Sequence, residues 1–232
     1  MRSEDIPEIR GLPLFRTMAP GSFEALFRGA YLQTFPPQVH LIGEGDASDF
    51  LHVLVDGTVE LFAAWNQRET TMAVLTPVAS FILAATITDR PYLMSARTIE
   101  KSRVALIPGE DVRRAFSDDR EFATAIVMEL AGGFRSSTRR AKDLKLRSSV
   151  ERLANYLLSF DAQTESTGKF DLPTEKRLLA SLLGMTPENL SRAFAALRAY
   201  GVLVNGTHVT IAKPDDLRTF AKPTSLIDDP DF

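Results

Sequence analysis

The chain has no cysteine. Disulfides, thiolate-held iron–sulfur clusters and zinc–thiolate centres are therefore excluded. Histidine is scarce too: His40, His52 and His208 are the full set in 232 residues. A cupin-like metal enzyme would need a close His pair with an acid beside it, and His40 and His52 do not supply one. No nucleophilic triad, P-loop or dinucleotide glycine fingerprint is marked, so no catalytic residue and no metal ligand is assigned. No apolar run reaches the ~18–20 residues a membrane span needs. Met1–Asp5 lead into no long apolar segment, so no secretory leader is expected and the expected compartment is the cytoplasm.

What is present is ordinary globular material, 44% hydrophobic and 25% charged, long enough for one large domain or two small ones. The formal net charge of −3, taken alone, speaks against nucleic acid. Its distribution speaks otherwise. Residues 1–134 carry 12 basic and 18 acidic side chains, residues 135–222 carry 15 and 9, and residues 223–232 carry three acids and no base. An acidic half joined to a basic half points to nucleic-acid binding by the basic one.

Texture divides the chain in the same way. Residues 5–30 read as helix, with Ile6, Ile9, Leu12, Phe23, Leu26 and Phe27 at helical spacing and a break at Pro20-Gly21. From 31 to 108, short β-type runs alternate with turn residues: Tyr31–Phe35, His40–Ile42, Phe50–Val55, Thr58–Ala63, Thr70–Leu75 and Val104–Ile107. Asp56-Gly57 predicts a hairpin. A long helix is expected from Asp118 to Lys145. Its Gly132-Gly133 pair would either weaken it or let a second helix come close. Val150–Phe160 is a further amphipathic helix. The segment from Pro223 is expected to fray.

Residues 174–211 carry the most specific signal. A helix over Thr174–Leu183, with Leu178, Leu179, Leu182 and Leu183 as its apolar side, ends at Gly184, a residue suited to a left-handed cap. Thr186 is a good N-cap and Pro187 a good first residue for the next helix. This is the form of a helix–turn–helix. On the second helix, Leu190, Ala193, Phe194 and Leu197 share one face and Glu188, Ser191, Arg192 and Ala195 the opposite one. Such a face can read base edges in the major groove: Arg192 to guanine, Glu188 to the cytosine amino group, Ser191 to either. Val202–Val204, Asn205-Gly206 and His208–Ile211 then predict a hairpin wing. Thr186, Lys176, Arg177 and Thr207 are the candidate phosphate contacts.

The segment Leu41–Leu61, with Gly43, Gly45 and Gly57, resembles the cyclic-nucleotide-binding β-roll of the CRP/FNR superfamily of bacterial transcription regulators. The frame Leu172-Pro173 … Leu183-Gly184-Met185-Thr186-Pro187-Glu188-Asn189-Leu190-Ser191-Arg192 is similar to that family's helix–turn–helix. The resemblance spans roughly residues 10–215 and, within the superfamily, leans toward FtrB- or Dnr-like regulators. It implies an α+β chain: an effector-sensing β-roll domain (1–116), a long dimerisation helix (117–146), a winged helix–turn–helix domain (147–222) and an acidic tail (223–232). It implies a homodimer on double-stranded DNA, reading TTGAT-like half-sites of a near-palindrome through Glu188, Ser191 and Arg192, with RNA polymerase as a partner. It implies no enzymatic activity and no membrane.

The effector site departs from the cyclic-AMP pattern. Where relatives place Gly-Glu for the ribose and Arg-Ser for the phosphate, this chain reads Leu83-Ala84 and Met94-Ser95. Cyclic AMP is therefore not expected, and no cofactor is required. Haem is the alternative within the family, with His52 read rather as a core residue. Phe81, Ile82, Leu83, Ala84, Met94 and Ser95 form either plain core or a pocket for a small apolar effector. An interaction module without DNA binding is the rival from another class.

Overall fold

The computed structural model describes residues 6–164, 167–172 and 175–229. Two compact units divide at Gly133 and Phe134.

The first unit opens with three short helices, α1 (Ile6–Arg10), α2 (Pro13–Arg16) and α3 (Pro20–Arg28). Proline stands at the start of the latter two, where its missing N–H costs nothing. Eight strands follow: β1 (Tyr31–Phe35), β2 (His40–Ile42), β3 (Phe50–Asp56), β4 (Val59–Trp65), β5 (Arg68–Leu75), β6 (Ala79–Phe81), β7 (Ser95–Thr98) and β8 (Ser102–Pro108), with α4 (Leu83–Thr88) between β6 and β7. They form two antiparallel four-stranded sheets, ordered β1-β8-β3-β6 and β2-β7-β4-β5. α5 (Gly109–Asp118) closes the roll and α6 (Arg120–Leu146) begins after it.

The first sheet is the middle of three layers. Leu51, Val53 and Val55 of β3 meet the helices and the start of α6, at Phe15, Phe122 and Ile126. Leu54, Val104 and Leu106 turn the other way, toward Ile42, Val59, Leu61 and Ala96 of the second sheet. A strand covered on both faces reads as a continuous apolar run, which is why β3 shows so little alternation.

The hairpin expected at Asp56-Gly57 is not there. β3 pairs with β6 and β8 while β4 pairs with β5 and β7, so Asp56-Gly57 carries the chain from one sheet to the other. Glycine is required there for two reasons. Gly57 has φ +90°, and a Cβ would fall 2.4 Å from Ser102 Oγ. Strands β6 and β7 were not expected from sequence; each is four residues or fewer, too short to show a period. α6 starts two residues later than expected because Asp119 caps it, accepting the N–H of Phe122 at 3.0 Å. The helix runs unbroken through Gly132-Gly133, where a Cβ would meet nothing within 4 Å.

In the second unit, α7 (Ser149–Gln163) starts from a complete capping box, Ser148 and Glu151 each satisfying the other's backbone N–H. Then come β9 (Lys169–Asp171), α8 (Lys176–Leu182), α9 (Pro187–Leu197), a 3₁₀ turn (Arg198–Tyr200), β10 (Val202–Asn205), β11 (His208–Ile211), α10 (Pro214–Ala221) and α11 (Ser225–Asp228). β9 joins the wing as a third strand, in the order β10-β11-β9. Leu153, Leu157, Leu179, Ala180, Leu190, Phe194 and Leu197 centre the core. Leu178 and Leu182, expected on the apolar side of α8, are only half-buried, and Ala180 takes the buried place. Thr174, expected to open that helix, lies outside the described residues. The frayed end expected after Pro223 is instead helical over α11, because Asp228 is bound from two sides: by Arg147 at 2.6 Å through both oxygens and by the N–H of Thr224 at 2.7 Å.

Candidate nucleic-acid interface

The turn between α8 and α9 is a complete Schellman cap. Gly184 N–H donates to Ser181 at 2.9 Å and Met185 N–H to Ala180 at 2.9 Å, with Gly184 at φ +63°. Thr186 then caps α9, its hydroxyl accepting the Asn189 N–H at 3.2 Å. These caps fix where α9 starts, and the burial of Leu190, Ala193, Phe194 and Leu197 fixes which face looks outward. That outward face carries Glu188, Ser191 and Arg192, all exposed. The structure thus brings the three expected base-reading side chains together on the first two turns of one helix.

Their electrostatics suit recognition. The Glu188 carboxylate is held below its ordinary range, first by its own backbone N–H and then by the Thr186 hydroxyl, with Arg192 adding to the effect. It therefore stays an acceptor. Ser191 Oγ donates to the Pro187 carbonyl at 3.0 Å, which leaves its oxygen lone pairs outward. Lys176 and Arg177, in the first turn of α8, are exposed. The Lys176 ammonium lies 5.8 Å from the centre of the Phe194 ring. Thr207 stands at the wing tip. Asn205 pairs with His208, so the loop is Gly206-Thr207 rather than Asn205-Gly206. Only its first position has positive φ, the pattern of a type II′ turn. Sequence reasoning missed Asp171, which accepts from the Thr207 hydroxyl at 3.3 Å and faces His208 Nδ1 at 3.5 Å. Its place on β9 depends on a three-residue strand that sequence did not reveal.

The expected effector residues do not form a single lining. Phe81 belongs to the core between the sheets and Leu83 to the core under the helices. Ala84 is exposed, and Ile82 and Met94 are half-buried. Ile82 adopts φ +63°, a left-handed conformation that costs a β-branched residue about 1–2 kcal/mol. The Ser95 hydroxyl is used within the fold, accepting the Glu44 N–H at 3.0 Å. The one arginine on β7, Arg97, is bound to Glu60 at 2.7 Å and Glu69 at 2.9 Å. Arg97 is thus already engaged, and Met94 and Ala84 bring no charge to the positions where a cyclic nucleotide would need one. His52 is a core residue. Burial pushes its imidazole down to about 4, with a backbone hydrogen bond to Phe50 acting against that, and its Nδ1 lacks a partner. Among the described residues, no group of three or more His, Asp or Glu is placed to hold a metal ion, and no helix is long and apolar enough to cross a membrane.

A β-roll unit followed by a winged helix–turn–helix is the plan of a DNA-binding transcription regulator. Comparison with known proteins agrees. Residues 32–119 match the cyclic nucleotide-binding domain, and residues 151–220 match the Crp-like helix-turn-helix domain. Together they account for more than half of the chain in the expected order, and the chain belongs to the CRP/FNR family of DNA-binding transcription regulators, which are not enzymes. A Rhizobium leguminosarum protein named "Probable transcriptional activator" is 22% identical over 210 residues, 86% of this chain and 85% of its own. A protein of Silicibacter pomeroyi DSS-3, provisionally described as a cAMP-binding regulatory protein, is 28% identical, with a TM-score of 0.58 over 96% of this chain and 100% of its own. FixK2 of Bradyrhizobium japonicum shares the fold at 21% identity, with a TM-score of 0.71 over 84% of this chain and 98% of its own.

Proposed function

We propose that this chain acts as a homodimer that reads a near-palindromic operator with TTGAT-like half-sites, α9 entering the major groove. The observation that carries the reading is the exposure of Glu188, Ser191 and Arg192 on the first two turns of an N-capped helix whose other face is buried. Arg192 reads guanine, Glu188 accepts from cytosine, and Ser191 adapts to either base. Thr186, Lys176, Arg177 and Thr207 hold the phosphates. Dimerisation runs along α6. Val127, Leu130, Phe134, Ser137 and Ala141 recur at three- and four-residue steps, and Val127 and Phe134 are 58% and 75% exposed. Beside them, Gly132 and Gly133 leave room for a second helix. RNA polymerase is the downstream partner this activity requires.

The test is binding of the purified protein to its own promoter and to a TTGAT-containing duplex across a salt series. Sequence-specific dimer binding with a steep salt slope is expected. Arg192→Ala should lose about 1–3 kcal/mol of sequence discrimination. If that variant keeps the same preference, α9 is not the reading helix.

For the β-roll unit, the reading is that neither a cyclic nucleotide nor haem is the ligand. Leu83 and Met94 supply neither the carboxylate nor the cation that a nucleotide needs, and each absent charge-assisted bond forgoes about 1.5–3 kcal/mol. Native mass spectrometry of the purified protein is the check. A co-purifying mass equal to haem or to cyclic AMP overturns this part.

A further inference from the structure

The α6–α7 joint contains two arginines that the reading of α9 does not use. Arg152, 9% exposed, spends its guanidinium entirely on backbone carbonyls. Its Nε donates to Leu183 at 2.9 Å, its Nη2 to Gly184 at 3.4 Å and its Nη1 to Arg147 at 2.8 Å. The first two acceptors lie in the turn that sets the start of α9. The third closes the end of α6. One buried side chain thus ties the long helix to the helix–turn–helix turn. Apolar packing repeats the tie, since a Cβ on Gly184 would fall 2.7 Å from Leu144 Cδ2.

Arg147 is held in turn by the C-terminal segment. Its Nη1 and Nη2 meet the two oxygens of Asp228 at 2.6 Å each, and Nη1 also meets Asp143 at 3.0 Å. A bidentate pair of this kind fixes orientation as well as charge. The Asp228 pair raises the Arg147 guanidinium above its ordinary range more than any other influence on it. The same carboxylate accepts the Thr224 N–H, so the tail's own turn is organised around Arg147.

We propose that Arg147 and Arg152 are positioning residues for DNA reading, and that the C-terminal helix α11 acts as a strap that holds them through Asp228. Base readout tolerates little displacement, and a helix whose starting turn is anchored from behind presents its side chains ready-placed. Asp228 is none of the residues assigned to bases or phosphates. Its influence on recognition passes through Arg147, the Arg147 carbonyl and Arg152 to Leu183 and Gly184.

The functional half of this inference rests on the DNA-binding proposal, so the experiment has two readouts on the full chain. In Asp228→Asn, affinity for the specific duplex should fall on the order of tenfold while affinity for a random duplex stays unchanged. Amide hydrogen exchange should quicken at Arg147–Arg152 and at Leu183–Met185, with or without DNA. Asp228→Glu, which keeps the charge, should recover most of both losses. Unchanged exchange in Asp228→Asn overturns the strap. So does an equal loss on specific and random DNA, which would mark a general loss of structure. A wild-type protein without sequence preference would sink the DNA-reading proposal alone, and the exchange comparison would still decide the strap.

Discussion

The two units differ in what they do with their polar side chains. In the β-roll unit several are turned inward and bonded within the fold. Glu60 is buried and held by Thr71 at 2.6 Å and Arg97 at 2.7 Å. Thr98, fully buried, accepts from Val39 and donates to Pro36. Ser95 and Ser102 bind backbone N–H groups of Glu44 and Thr58. The second unit also buries Arg152 and Asn155, but it leaves Lys176, Arg177, Glu188, Ser191 and Arg192 outside. An inward polar group settles the shape of a fold; an outward one on a rigid helix offers chemistry to a partner. The ligand class of the second unit is therefore readable from its exposed side chains.

The contrast predicts separable stabilities. Leu51 lies in the core under the first sheet and Leu157 in the reader core, both fully buried. Truncating either to alanine should cost about 2–5 kcal/mol, through lost burial plus the cavity left behind. Hydrogen exchange should show Leu51→Ala loosening residues within 1–133 and Leu157→Ala loosening those within 134–232. Equal loss of protection across both units in either variant would break the comparison at its root.

Acid should find the β-roll unit first. The His52 imidazole is held neutral, at about 4 rather than the ordinary 6.5. Its folded pKa is depressed, so below 6.5 the unfolded chain takes up a proton that the folded chain refuses. Stability is complete above about pH 6.5 and is lost as the pH falls toward 4, by at most about 3 kcal/mol. Denaturant midpoints at pH 7, 5.5 and 4.5 measure it. His52→Phe should flatten the decline; a decline of the same size in that variant would place the acid-sensitive group elsewhere.

Much of this was legible in the sequence, and the reason differs between the units. β1 and β2 have the ends that composition predicts, and the Gly184–Thr186–Pro187 frame placed both caps of the helix–turn–helix, because capping is local chemistry. Asp56-Gly57 misled because a sheet change and a hairpin need the same positive-φ glycine; pairing partners, which are long-range, decide between them. β6, β7 and β9 were too short to show a period. Asp228 was unreadable for the same reason as the sheet change: its partner Arg147 lies 81 residues away. The expected lining of the β-roll pocket failed differently. Phe81 and Leu83 are two residues apart but face separate cores, which family spacing alone does not reveal.

Gly184 tests the local part of the reader. Alanine there must hold φ near +63° and place its Cβ against Leu144. The left-handed conformation alone should cost about 1–2 kcal/mol. A thermal midpoint unchanged from wild type would mean that the turn has room to adopt another cap. Gly206, with φ +60° but open space around its Cβ position, is the control: Gly206→Ala meets the backbone penalty without the clash.

The smallest expected effect separates positioning from reading. Lys176 is exposed at the start of α8, and its chemistry is that of a point charge offered to phosphate. Removing it should weaken binding to every duplex by a similar factor. The slope of log affinity against log salt should fall by about 0.9 for each phosphate that is no longer neutralised. Sequence preference should stay where it was. Arg192→Ala should do the reverse, relaxing preference at one base pair. The Lys176 ammonium also lies near the Phe194 ring, so Lys176→Met, which keeps the apolar stem, is the cleaner variant. If Lys176→Met changes which half-site sequence is preferred, then α8 reads bases as well, and the division between a positioning helix and a reading helix fails.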